Sequence, residues 1–394
     1  ASRGLGDVYK RQFILCELYL RQKKMLKFIH LKVGEKMIHE SLKKDFSEIA
    51  DMEGMEQFRN KTFLITGSTG LIGSLLIKFF IYLNRTQNLG IKIYGTVRNL
   101  DKAKSYFAEY DCDSINFVLI DFLDDKKIET FEIKGDIDYI IHTAAVTTSQ
   151  QMVKTPVETL LGAIQGTKCM LKLAKEKRVK KIIYLSSMEA YGIVGKSEKV
   201  KENELGYLDL DNIRSCYPEG KRACECLCKG YHAEYGVPTI QIRLAQTFGA
   251  GIHYEENRVF AQFARSAMKK SPIVLHTAGK SEGNYVYTSD AVQAILFLLL
   301  HGIEGETYNI TNENNHMTIY DMAKLVAKTI GGDICEVVVD IPENAEKLGY
   351  APDTKLYMSS RKINKLGWYA KVDLNEAYVR LCAYLKECEG ETLC

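Results

Sequence analysis

Tyr217 and Lys221 stand four residues apart in Tyr217-Pro218-Glu219-Gly220-Lys221. On a helix that spacing puts a phenol and an ammonium on one face. A phenol titrates near ~10 and is a poor base at neutral pH. A neighbouring ammonium, and any further positive charge brought beside it, favours its anion. The pair therefore reads as a general base that takes a proton from a substrate hydroxyl as hydride leaves for a cofactor. Ser187 stands at the end of a strand-like run, in Leu185-Ser186-Ser187, and is placed to hydrogen-bond the same hydroxyl. A lone Tyr–Lys pair is a common accident of helical sequence. Its meaning comes from the motifs that precede it.

The first of these is Gly67-Ser68-Thr69-Gly70-Leu71-Ile72-Gly73, which follows an apolar run and opens a helix-like stretch. Glycine allows a tight turn and close backbone approach to a pyrophosphate, and the helix start adds free N–H groups and partial positive charge. The spacing is GxxGxxG rather than GxGxxG, and the strand-then-helix context makes it a dinucleotide signal. The second strand ends Thr96-Val97-Arg98-Asn99, with Arg98 and no acid at the place that reads the adenosine ribose. That favours NADP over NAD. Asp121 and Phe122, after the third strand, are placed to flank the adenine. Thr143, Ala144 and Ala145, after the fourth, are small enough for backbone to approach the cofactor.

Such residues need strand ends to hold them. Residues 61–66, 91–97, 117–120, 139–142, 181–186 and 239–243 read as short apolar strands, with helix-like stretches such as 71–83 between them. That alternation predicts an α/β, Rossmann-type doubly wound parallel sheet, covered on both faces. After Gly249 the rhythm turns irregular: 259–268, 320–330 and 374–385 read as helices and 307–310 as a strand. The expected division is a partly helical lead-in over 13–58, a cofactor domain over 59–250, and a smaller C-terminal substrate lobe over 251–394, with 280–300 returning to the first domain. The apolar run 291–300 is too short to span a bilayer and reads as a buried helix.

The chain is 46% hydrophobic and 26% charged, which excludes a disordered chain. Its net charge of +3 leaves no electrostatic footprint for nucleic acid. The basic stretch 168–181 reads as a solvated face. Eleven cysteines, an odd number, include Cys224, Cys226 and Cys228, which point to different sides of a helix. No histidine completes a metal set with them, and His232, His253 and His276 share no ligand spacing. Reduced thiols and a cytoplasmic setting follow, with no metal expected. His142 and Trp368 read as packing residues. Residues 2–12 match the in-frame translation of a common transposase-based sequencing adaptor, so residues 1–12 are expected to be an assembly artefact, with the natural start at Met25 or Met37.

The order of motifs resembles the extended short-chain dehydrogenase/reductases of the nucleotide-sugar epimerase/dehydratase group. The resemblance runs from about Lys61 to Leu385, through TGSTGLIG, HTAA, LSSMEAYG, YPEGK, RLAQTFG, GETYNIT and LGW. It implies a Ser187–Tyr217–Lys221 triad, transient oxidation of a sugar at C4, NAD or NADP as cofactor and a homodimer. Cys216-Tyr217-Pro218-Glu219-Gly220-Lys221-Arg222 and Asn257-Arg258-Val259-Phe260 look most like the UDP-glucuronate decarboxylases. Glu189 falls where decarboxylases and 4,6-dehydratases carry a catalytic Glu. The dehydratases precede it with an Asp, and Met188 stands there, which disfavours dehydration. An Arg that grips substrate phosphates in the family is Gly283 here, and a usual Asn is Gln246. Gln246 and Arg258 are then substrate-binding candidates, with Arg243 a further cation that could compensate. A 4-epimerase and an NADPH-dependent 4-ketoreductase are the alternative reactions, and a non-catalytic cofactor-binding regulator is the alternative class.

Overall fold

The apolar runs of the N-terminal half become strands of one parallel sheet. The computed structural model describes residues 38–110, 114–342 and 353–392; the adaptor-like segment lies outside them. In β1 (Thr62–Thr66) all five residues are buried. Its pleat sends Phe63 and Ile65 into one apolar core and Leu64 into the other. With both faces covered, the strand reads as a continuous apolar run rather than an alternating one.

Around β1 lie β2 (Lys92–Val97), β3 (Ile115–Leu119), β4 (Tyr139–His142), β5 (Lys181–Ser187), β6 (Thr239–Leu244) and β10 (Thr307–Ile310). Their order is β10-β6-β5-β4-β1-β2-β3, every pair parallel. The order reverses between β1 and β4. At such a switch point the connections leave in opposite directions, and a crevice opens beyond the carboxyl ends of the strands. On one face the helices Pro156–Lys177 and Cys216–Tyr235 pack together, burying Met170, Leu171, Leu173, Cys224 and Cys228. Cys226, between the last two, is exposed. On the other face lie the helices Leu71–Gln87 and Thr288–His301, the latter containing the apolar run expected to be buried.

The smaller sheet comprises β7 (Gln246–Phe248), β9 (Glu282–Tyr287) and β11 (Asn312–Thr318), and β8 (Ile273–Leu275) pairs with β12 (Val337–Val339). The helices Val259–Met268, Ile319–Val326 and Leu374–Thr392 complete this part, with Trp368 buried among them. The helix expected over 320–330 ends its regular α-turns at Val326 and widens into a π-turn, Ala327–Gly331. The returning segment extends past 300, since β10 forms one edge of the large sheet.

The lead-in forms the helix Glu40–Ala50, which buries Leu42, Phe46 and Ile49. Arg380 of the helix Leu374–Thr392 clasps it, reaching Asp45 at 2.6 Å and Glu48 at 2.7 Å. Tyr287 donates to the other oxygen of Asp45 at 2.8 Å. Burial outweighs these partners and pushes the Asp45 carboxyl up to about 6.

Candidate functional site

Gly67 leaves β1 in the left-handed region, at φ +65°. A Cβ there would lie 2.9 Å from Ala144 Cα, so only glycine lets the turn close onto the end of β4. A Cβ on Gly73 would come within 2.4 Å of the Gly67 carbonyl oxygen. Gly70 N donates to that same oxygen at 2.9 Å and then caps the helix Leu71–Gln87. Thr66 ties the turn to β4: its hydroxyl accepts from the amides of Thr143 and Ala144, each at 3.1 Å. Thr143 returns a bond to the Thr66 carbonyl at 2.6 Å. The result is a stripped backbone cradle at the switch point, beside a helix start, which fits the pyrophosphate of a dinucleotide.

The remaining cofactor candidates spread along the same edge. Ser68 is buried, bonded to the Ile65 carbonyl at 3.0 Å, so it shapes the turn rather than facing solvent. Thr69 and Leu71 are half-buried, and Ile72 packs into the core. Ala145 and Arg98 are exposed, and Arg98 makes no hydrogen bond or ion pair to a described residue. Asp121 and Phe122 follow β3 and are half-buried, with the Phe122 ring edge-on to His142 at 5.9 Å. His142 bonds Thr66 Oγ1 through Nδ1 at 2.7 Å. Burial, and then the charge of Lys221, push its pKa down to about 3, so it stays neutral.

Two strands from β1, β5 ends on Ser187, whose hydroxyl accepts from the Glu189 amide at 3.2 Å. The Cys216–Tyr235 helix brings Tyr217 and Lys221 to the same strand end. The Ser187 hydroxyl is the hydrogen-bonding neighbour that pulls the Tyr217 pKa down. Lys221 is buried, donates to the Leu185 carbonyl at 2.6 Å and lies 5.6 Å from the Tyr217 ring centroid. Burial pushes Lys221 down to about 8. Burial, then the Glu189 charge, push Tyr217 up to about 12, against the pull of Ser187, Arg214 and Arg258. The sequence expectation that Lys221 favours the phenolate is thus outweighed in the chain alone.

Arg214 was not anticipated from the sequence. It grips Glu189 with two bonds, at 2.6 and 3.0 Å, and reaches Ser149 at 3.4 Å. Its signal was available three residues before Tyr217, but its partner lies 25 residues away in sequence. Arg258 is exposed at the start of the helix Val259–Met268, paired with Glu256 at 2.7 Å, and its charge still reaches Tyr217. Gln246 is exposed just beyond β6, whose Leu244 pairs with Ser187. Arg243 is a correction. It is buried, bonded to Glu225 at 2.9 and 2.6 Å and to the Glu202 carbonyl at 2.7 Å, so each of its three nitrogens is tied into the scaffold and its charge is already paired rather than available to replace a missing phosphate ligand. At Gly283 an added side chain would meet nothing within 4 Å.

Among the described residues no group of three or more His, Cys, Asp or Glu could hold a metal ion, and no helix is long and apolar enough to cross a membrane. The profile of the NAD-dependent epimerase/dehydratase family matches residues 63–311. A dTDP-D-glucose 4,6-dehydratase of Bos taurus is 28% identical over 340 residues, covering 83% of this chain and 89% of its own. UDP-glucuronic acid decarboxylase 6 of Arabidopsis thaliana is 26% identical over 318 residues, covering 80% and 86%. A UDP-glucose 4-epimerase of Thermotoga maritima, solved with UDP-glucose, shares the fold at a TM-score of 0.69 and 22% identity, covering 83% of this chain and 99% of its own.

Proposed function

The chain belongs to the NAD-dependent epimerase/dehydratase family, and from that premise we propose that it modifies a nucleotide-bound sugar by transient oxidation at C4, with UDP-glucuronate decarboxylation as the first reading. The observation that carries the chemistry is the gathering of Ser187, Tyr217 and Lys221 at the end of β5, two strands from the glycine turn. The turn Gly67–Gly73 and the strand ends at Thr143, Ala144 and Ala145 would hold the dinucleotide, with Asp121 and Phe122 beside the adenine. When bound, that cofactor supplies a reversible hydride acceptor.

Ser187 orients the sugar hydroxyl and Tyr217 takes its proton. A phenol near 12 is protonated at neutral pH, so the base forms only when positive charge is added close to it. Lys221, fixed to the Leu185 carbonyl, holds the ammonium at constant distance from the ring while that happens. Glu189 is clamped by Arg214 and acts as a fixed charge beside the sugar rather than as a free base. A uronate that is a ketone at C4 is a β-keto acid. Its carboxyl leaves as carbon dioxide, the electron pair passes into an enolate, and a proton from Tyr217 quenches it. No acid is needed at position 188, where Met188 has no proton to give. Expulsion of a 6-hydroxyl would need one.

A net 4-ketoreductase is the second reading. Arg98, exposed at the end of β2 without a partner among the described residues, favours NADP, and a dissociable reductant suits reduction. A cytoplasmic homodimer completes the proposal: Cys169, Cys216, Cys224, Cys226, Cys228, Cys335 and Cys382 are reduced thiols, and Val157 and Leu161 expose apolar surface on the Pro156–Lys177 helix. The test is mass spectrometry of products from UDP-, dTDP-, GDP- and CDP-sugars with NAD or NADP. Loss of carbon dioxide from UDP-glucuronate establishes the first reading. Loss of water, an isomer of unchanged mass, or stoichiometric NADPH consumption would replace it with dehydration, epimerisation or reduction.

A further inference from the structure

A cleft of about 290 Å³ opens beside the Leu71–Gln87 helix, and none of the residues assigned above to cofactor or sugar lines it. Its walls come from the segment after β2, the loop after β7 and the two terminal helices, through Tyr106, Tyr110, His253, His39 and Tyr384. The buried group in it is Lys78, only 4% exposed.

Lys78 has no carboxylate partner among the described residues. Its ammonium makes one long hydrogen bond, 3.5 Å to the Tyr106 hydroxyl. It otherwise faces two rings, with centroids at 4.8 Å for Tyr106 and 4.7 Å for Tyr110. Ring faces soften a buried cation but do not replace an anion. An ammonium carries three donors, so two have no acceptor within 3.5 Å among the described residues. The Tyr110 hydroxyl beside it is also buried and, among the described residues, has no hydrogen-bond partner within 3.5 Å. Glu109 also lines the cleft, but it is exposed and makes no ion pair with Lys78, so a buried cation and a buried phenol remain without an acceptor of their own in a cleft large enough for a small molecule.

We propose that this cleft binds a phosphate group, free or esterified, whose oxygens accept from Lys78 and Tyr110. A phosphate offers several strong acceptors and suits a desolvated ammonium. The site also touches the cofactor turn. The Tyr106 hydroxyl donates to Ser74 at 3.2 Å, one turn into the helix that starts at Gly70. His253, 5.3 Å from the Tyr106 ring, reaches the Thr69 carbonyl through Nε2 at 3.1 Å. An occupant that orders Tyr106 and His253 therefore acts on the dinucleotide turn, and the coupling is reciprocal.

The test is calorimetric titration of the full chain with inorganic phosphate and with phenyl phosphate at constant ionic strength. It is repeated on Lys78→Met, which keeps chain length without charge, and on Tyr110→Phe, which removes one unpartnered hydroxyl. The native chain should bind saturably. Affinity should fall by ~10-fold or more in Lys78→Met and by a few-fold in Tyr110→Phe, and should be unchanged in Tyr217→Phe, which separates this site from the catalytic reading. Tighter binding of phenyl phosphate supports an ester as the natural occupant, and equal binding supports the free ion. Absence of saturable binding, or binding indifferent to Tyr110→Phe and to Lys78→Met, overturns the proposal. Tyr110→Phe alone carries the test should Lys78→Met fail to fold.

Discussion

On the Cys216–Tyr235 helix, Lys221 and Glu225 sit one turn apart and both are buried, yet their surroundings differ. Both oxygens of Glu225 are used: Arg243 takes the two, and the Ser186 hydroxyl adds a bond at 2.5 Å. Among the described residues Lys221 pairs with no carboxylate and meets the Leu185 carbonyl and the faces of Tyr184 and Tyr217. A compensated buried pair has a single low-energy protonation state and behaves as scaffold. An uncompensated ammonium pushed down to about 8 responds to any charge that enters beside it. The helix thus separates holding from chemistry within one turn.

Four substitutions break or sharpen that contrast. Tyr217→Phe should lower turnover ~10²–10⁴-fold with little change in the urea midpoint; unimpaired initial rates would remove Tyr217 from the chemistry. Glu225→Gln strands Arg243 and should destabilise the fold by about 3–5 kcal/mol in urea titrations, while activity per folded molecule stays near normal. Lys221→Met should abolish activity yet stabilise the chain at pH 7 by up to about 3 kcal/mol. The sign follows from the lowered pKa of a base. Below pH 8 folded and unfolded chains both hold the proton and the full burial penalty applies. Between about 8 and the ordinary lysine value of 10.5 the folded chain holds fewer protons, so the native protein gains stability with pH and its deficit against Lys221→Met closes. A pH-independent difference in midpoints would contradict this. The smallest effect belongs to Arg214→Met. Arg214 lowers the Tyr217 pKa and Glu189 raises it, so freeing Glu189 should move the Tyr217 limb of the pH–rate profile to higher pH.

What the sequence revealed follows the range of the forces involved. β4, β10 and the helix Val259–Met268 were read with their observed bounds, because apolar runs and helical spacing are local. The Tyr217–Lys221 pairing is local too, fixed by helix geometry. β7, β8 and β12 have three residues each, too short for any periodic pattern. β11 is the polar run Asn-Glu-Asn-Asn-His-Met-Thr, a strand only because β9 pairs with it. Arg243 was misread because its partner Glu225 lies on another element, 18 residues earlier, and Arg214 was missed for the same reason. Burial also decided the Tyr217 pKa, and no spacing rule reports burial.

The clasp between the terminal helices has a consequence in time. Arg380 meets Asp45 across 335 residues of sequence. At translation rates of ~5–20 residues per second, that interval is roughly 15–70 s. Throughout it the Glu40–Ala50 helix has emerged while the guanidinium that secures it has not been synthesised. Phe46 can pack on Phe79 and Tyr82 as soon as the helix Leu71–Gln87 forms, but the ion-pair clasp over Asp45 and Glu48 is open for that whole period. A ribosome stalled before Arg380 therefore holds a chain whose Glu40–Ala50 helix lacks its guanidinium clasp, and slowing synthesis of the last helix prolongs that state.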